Sequence, residues 1–296
     1  MIKSVEGYLE ALKAELKSSD AATIQDALAD AEEYLRAALA SLREKQPDMP
    51  EEEALVQVID QYGTPEETAS AYKEVERRTV PGLARETSAR QDSAFKRFFG
   101  IYDDPKAWGA LLYMLIALVT GIVYFTWAVT GLSLSLSLAI FIFGLLFAVL
   151  FTVSLRGLAL LEGRVVEALL GVRMPRRSIF FPGGTTWFER LKINHTDKHV
   201  WLSLVYFILQ LPLGVIYFTV IVTLFSLSLA LMAVPLVQSI TDFPLISIGA
   251  MRYYLPVWSE PLFLLVGFLI WTLTMHLGKF VGQLHGRYAK MLLVTE

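Results

Sequence analysis

The chain has 296 residues, of which 54% are hydrophobic and 19% charged, with a net charge of −3 and no cysteine. Soluble domains carry about 25% charged residues, so a purely soluble protein is excluded. The missing cysteines exclude disulfides, thiolate metal ligands and a cysteine nucleophile. The near-neutral total hides two unlike parts: residues 1–80 hold nine Lys/Arg and eighteen Asp/Glu, whereas residues 81–296 stand at +6.

Residues 1–80 read as a compact acidic helical domain. Met1 to Leu16 is amphipathic and acidic, unlike a signal peptide, so the first insertion signal is expected beyond residue 106. Val5, Leu9, Leu12 and Leu16 recur at helical spacing, as do Ile24, Leu28, Ala31, Leu35, Ala38 and Leu42. Pro47 to Pro50 breaks the pattern, and Pro50 reads as the first residue of a third helix. In Tyr62-Gly63-Thr64-Pro65-Glu66-Glu67, Gly63 ends that helix, and Thr64 and Glu67 form a capping box for a fourth. The acidic surface argues against direct nucleic-acid binding, which needs a basic face; it suits a protein partner or a simply solvated surface beside the membrane.

Tyr8-Leu9-Glu10-Ala11-Leu12, Asp30-Ala31-Glu32-Glu33-Tyr34 and Ile59 to Ala69 resemble the HAAS signalling domain, over about residues 1–78. Gly63 to Ala69 matches its G-[DTS]-P-x-x-[IT]-A helix start. Members of that family tend to be joined to membrane segments and encoded beside PadR-type regulators, so the resemblance implies a signalling role and a cytoplasmic partner of that kind.

Residues 81–103 form a linker that turns basic, where Phe95, Phe98 and Phe99 interleave with Lys96 and Arg97 as on an anionic lipid surface. Beyond it, Ala107 to Leu155 contains no charge in 49 positions, and Val200 to Thr241 is again uncharged. A crossing needs about 20 residues, so four transmembrane helices are expected and the fold is all-α. A tight turn near Gly131 joins the first two, Pro235 ends the third, and the fourth runs from about Pro261.

The two hairpins, residues 104–174 and 197–294 with a loop at 175–196 between them, read as copies. An offset of 93 places Trp108 on Trp201, Tyr113 on Tyr206, Gly121 on Gly214 and Tyr124-Phe125-Thr126 on Tyr217-Phe218-Thr219. An offset of 123 places Gly144 on Gly267, Arg156 on Lys279 and Gly163-Arg164 on Gly286-Arg287. The second copy therefore holds about 30 extra residues, roughly Met232 to Glu260. Basic residues crowd the 156–198 segment and the tail, so the positive-inside rule puts both termini in the cytoplasm of a multi-pass cell-membrane protein.

Asp104 caps the first crossing and Thr196 or Asp197 the third, with Trp108 and Trp201 as interfacial anchors. Gly157 to Val172 reads as an amphipathic helix with Leu158, Leu161, Val165, Ala168 and Leu169 on its apolar face and Glu162, Arg164 and Glu167 elsewhere. Arg156 to Glu162, Ala168 to Val172, and Trp201 through Leu211-Pro212-Leu213-Gly214 resemble the bacterial "putative sensor" membrane domain, over about residues 98–290. That domain occurs fused to histidine kinases and alone, which implies a sensory role here.

The residues carry no catalytic pattern. His195 and His199 have a metal-binding spacing, but the cap between them separates them, and His276 and His285 fit headgroup contact at a helix end. No catalytic residue, metal or cofactor is expected. The break in the repeat is the outer insertion, where Asp242, Arg252, Tyr253, Tyr254 and Trp258 form either a ligand-sensing cluster or an interfacial belt. The leading reading is a non-enzymatic sensor that relays an envelope, lipid or apolar-ligand signal to a cytoplasmic regulator. The rivals are an accessory or immunity subunit of an ABC exporter and a structural scaffold, with homo-oligomerisation left open.

Overall fold

The computed structural model describes residues 2, 4–78, 98–138, 142–176, 198–241, 244 and 246–294. The N-terminal part contains α1 (Val5–Glu15), α2 (Ala21–Lys45), α3 (Glu51–Tyr62) and α4 (Pro65–Arg78). The side chains of Ser4 and Asp20 accept hydrogen bonds from the Gly7 and Ala22 amides, satisfying donors that a helix start leaves open. Pro50 stands just ahead of α3, as its cap residue. The apolar stripes meet in one core of Leu12, Leu35, Leu55, Val58 and Ala69, among others.

Between α3 and α4, Gly63 adopts a φ of 109°, a region that favours glycine. The Thr64 amide donates to Glu67 Oε2 at 2.9 Å and the Glu67 amide donates to Thr64 Oγ1 at 3.3 Å, the reciprocal bonds of a capping box. Tyr8, fully buried, bolts α1 to this turn: its hydroxyl donates to the Gly63 carbonyl at 2.8 Å and accepts from Thr68 at 3.0 Å.

Four further helices are long and apolar enough to cross a membrane: α5 (Pro105–Leu138), α6 (Ile142–Leu170), α7 (Lys198–Thr241) and α8 (Glu260–Leu293). One short antiparallel pair, β1 (Ile246–Ile248) and β2 (Met251–Tyr253), interrupts an otherwise all-α fold. Asp104 caps α5, accepting from the Lys106 amide at 2.9 Å, and it also pairs with Lys279 of α8 at 2.6 Å. The cap positions Thr196 and Asp197, and the residues Phe95, Lys96 and Arg97, lie outside the described residues.

Two expected breaks are absent. Gly131 is not a turn: it lies inside α5 against Phe151, where an added β-carbon would sit 2.0 Å from that ring. Helix α5 runs on to Leu138, and α6 begins at Ile142. Pro235 does not end the third helix, because α7 continues through both Pro212 and Pro235 to Thr241. In hydrocarbon, unwinding would expose several backbone groups, whereas an internal proline forfeits only one hydrogen bond.

The N-terminal helices dock on the membrane part at the start of α2. Ala21 packs against the membrane core, Lys290 of α8 donates to Asp20, and the Arg176 amide beyond α6 donates to Asp26 Oδ1 at 2.6 Å.

Candidate functional site

The interior of the bundle holds a polar cluster drawn from all four crossings. Tyr113 and Tyr124 come from α5, Glu162 from α6, Tyr206, Gln210 and Tyr217 from α7, and His285 from α8. The spacing of 11 residues between the tyrosines of each pair is close to three helical turns, which keeps both on the inner face.

Glu162, with 0% exposure, is the centre. Its Oε1 accepts from Tyr113 at 2.7 Å and from Tyr206 at 2.8 Å, while Oε2 accepts from Tyr124 at 3.0 Å. Three hydroxyl donors replace the water that burial removes, without which a buried carboxylate would be prohibitive. His285, equally enclosed, faces the same hydroxyls: Nε2 lies 2.6 Å from the Tyr113 oxygen and 3.0 Å from that of Tyr206, with Nδ1 3.1 Å from Tyr217. The Gln210 amide donates to Tyr113 at 3.0 Å, while its buried Oε1 has no hydrogen-bond partner among the described residues. Tyr288 completes the wall, its ring centroid 5.6 Å from that of His285.

Tyr113 and Tyr206 are thus the shared link between an acid and a base. Their separation is the offset of 93, and the same offset relates Tyr124, bonded to Glu162, with Tyr217, bonded to His285. Glu162 and His285 each precede one of the Gly-Arg pairs aligned by the offset of 123. Extending that alignment by one residue was the sequence signal available for this site.

Both residues stand differently from their sequence expectation. Glu162 is expected off the apolar face of an amphipathic helix, but α6 turns it inward beneath α5 and α7. His285, expected at headgroup level, is buried because α8 runs on to Leu293 inside the bundle. His276 instead stacks on Phe98, with Nε2 3.0 Å from its carbonyl oxygen.

The insertion between α7 and α8 is less concentrated. Arg252 and Tyr253 lie on β2, with Arg252 opposite Ser247, and Trp258 stands 79% exposed on a short 3₁₀ turn. Tyr253 and Tyr254 are also exposed, and Asp242 lies outside the described residues. Among the described residues no hydrogen bond or ring contact joins Arg252 to these aromatics. Trp108 and Trp201 are half-exposed, Trp108 donating to the Tyr102 carbonyl at 2.9 Å. No group of three or more His, Asp or Glu able to hold a metal occurs among the described residues.

The family model described as "Putative sensor" matches residues 113–293 and so spans every member of the buried cluster. No curated protein and no solved structure matches the chain.

Proposed function

The chain belongs to the "Putative sensor" family, and from that premise we propose that it is a non-enzymatic sensor whose buried Glu162–His285 cluster is the sensing element. One observation carries this reading: α8, which holds His285, and the segment that follows α6, the helix that holds Glu162, both bind the N-terminal domain. Beyond Glu162 the chain reaches Arg176, whose amide binds Asp26; a little over one turn beyond His285 is Lys290, bound to Asp20. In this reading a rearrangement around the cluster reaches α2 along α8 and along the segment that follows α6. Buried ionisable groups in membrane helices are costly and mark functional sites.

In this reading the two hairpins are duplicated units, both termini face the cytoplasm, and the HAAS-like N-terminal domain hands the signal to a regulator of the PadR type. The acidic surface of that domain and its docking at the basic end of the bundle support the assignment. The test uses the full chain in lipid nanodiscs. Glu162→Gln should change amide hydrogen exchange across residues 20–26, and a transcriptional regulator should co-purify with the wild-type chain. Unchanged exchange in that segment, in a variant that retains its helices, removes the cluster as the sensing element.

A further inference from the structure

We propose that Glu162 and His285 form a single proton-binding site, the shared proton passing between them through the hydroxyls of Tyr113 and Tyr206. The proposal rests on the reading of this cluster as the sensing element and names the ligand it takes.

Hydrogen-bond bookkeeping carries the case. Each tyrosine hydroxyl has one proton to give. Glu162 accepts those of Tyr113, Tyr206 and Tyr124. Tyr113 and Tyr206 then have none left for His285, so Nε2 carries a hydrogen and donates to them, and Tyr217 donates to the bare Nδ1. In that arrangement the single Nε2 hydrogen is shared between the two hydroxyls and the 3.4 Å Tyr113–Tyr206 approach carries no proton, and the cluster holds one net negative charge between four membrane helices. Of the cations near them in sequence, Arg164 pairs with Glu167 and Lys290 with Asp20. An isolated charge at such a place is strongly disfavoured.

One added proton removes the charge. It can reside on Nδ1, which then donates to Tyr217, leaving a carboxylate and an imidazolium. It can equally reside on Glu162, the neutral imidazole then carrying its hydrogen on Nδ1, towards Tyr217, and leaving Nε2 bare to accept from Tyr206. The two forms interconvert by a balanced relay, in which Oε1–H passes to the Tyr206 oxygen while the Tyr206 proton passes to Nε2. The tyrosine is neutral before and after. When the carboxyl is protonated, Tyr113 needs another acceptor, and turning the Gln210 amide presents its partnerless Oε1 to that hydroxyl. The groups facing the pair are Tyr113 and Tyr124 from α5, Tyr206, Tyr217 and Gln210 from α7, and Tyr288 beside His285 on α8. All are neutral, so the acid and the base exchange protons chiefly with each other.

The experiment is infrared difference spectroscopy on the full chain in phosphatidylcholine nanodiscs, titrated from about pH 4 to 10 to bracket carboxyl and imidazole chemistry. A protonated-carboxyl band and an imidazole band are expected to respond together. Glu162→Gln should abolish the first band and move the second by about one pH unit or more, a tenfold change in proton affinity. Tyr124→Phe, which removes only one donor from the carboxylate, should raise the carboxyl's proton affinity several-fold and covers the case in which Glu162→Gln does not fold. An imidazole band titrating at the same pH in all three proteins, or no carboxyl response in the wild type, overturns the proposal. Exchange across residues 20–26 is followed on the same samples. Coupled bands with no change in that segment uphold the proton site and remove only the sensing reading.

Discussion

Gly214 approaches Ala117 so closely that a β-carbon on it would lie 2.3 Å from the Ala117 carbonyl oxygen. Gly121 makes the matching approach to Gln210, where a β-carbon would lie 2.8 Å from the carbonyl oxygen. Both pairs relate the same two helices, α5 and α7, and Ala117 corresponds to Gln210 under the offset that relates the two glycines. The close contact brings the backbones of α5 and α7 together between the levels of their two tyrosines, as small residues do in membrane helix pairs.

Gly214→Ala should therefore separate α5 from α7 and loosen the Tyr113–Glu162–Tyr206 contacts. Overpacking of this kind costs about 1–3 kcal/mol. Gly157→Ala is the control, because a β-carbon there meets nothing within 4 Å. Thermal unfolding in detergent should show a loss for the first substitution and none for the second. An equal response from both would refute the close crossing.

The N-terminal domain gives a second prediction, through Thr64. Its side chain closes the capping box at the start of α4. Thr64→Ala should destabilise an isolated 1–80 fragment by about 0.5–2 kcal/mol, the usual loss for an N-cap. Urea denaturation followed by circular dichroism reads this directly, and a fragment without helical signal would contradict the separate core seen around Leu12 and Leu35.

Much of this architecture was legible beforehand, for reasons that differ by element. The box from Gly63 to Glu67 was readable because capping is local and depends on residue type. The four crossings followed from uncharged length. Gly131 and Pro235 misled because local breaker rules assume water, whereas in an apolar bundle the helix continues wherever its backbone would otherwise be exposed. Glu162 was hidden because an amphipathic pattern assigns a charge to the outside by default. Only the partner helices, which supply three hydroxyls to it, make the inside habitable for a carboxylate.

Alkaline pH should weaken the N-terminal domain through Tyr72 and Tyr8. Burial first, then the hydrogen bond to Asp30, holds the Tyr72 phenol well above its ordinary range, and burial raises that of Tyr8 as well. The folded state thus retains protons that the unfolded chain releases near pH 10. The stabilisation is complete below that value and is lost as pH rises from it towards the folded-state values. Urea midpoints of the 1–80 fragment should fall above about pH 10, and less steeply in Tyr72→Phe. Parallel pH profiles for the two proteins would rule out Tyr72 as a source.

The outer insertion yields the last prediction. The Gln238 side chain latches it to the end of α7, donating to the Leu255 carbonyl at 2.8 Å and accepting from the Leu255 amide at 2.7 Å. Beyond this latch the segment presents Ile248, Met251, Tyr253, Val257 and Trp258 outward, all more than half exposed. Aromatic and aliphatic residues displayed at the end of a membrane bundle suit the headgroup boundary. The Glu162 cluster lies towards the opposite end, where the N-terminal domain docks. Replacing residues 242–258 with a short Gly/Ser turn should therefore weaken anchoring while leaving exchange at residues 20–26 and its response to Glu162→Gln intact. Single cysteines fix the sidedness: one at Ser247 should react with an impermeant thiol reagent in intact cells, and ones at Ser4 and Ser178 should not. If the shortened chain inserts normally but residues 20–26 no longer respond to Glu162→Gln, the insertion around Arg252 and Trp258 belongs to the sensing apparatus rather than to the anchor.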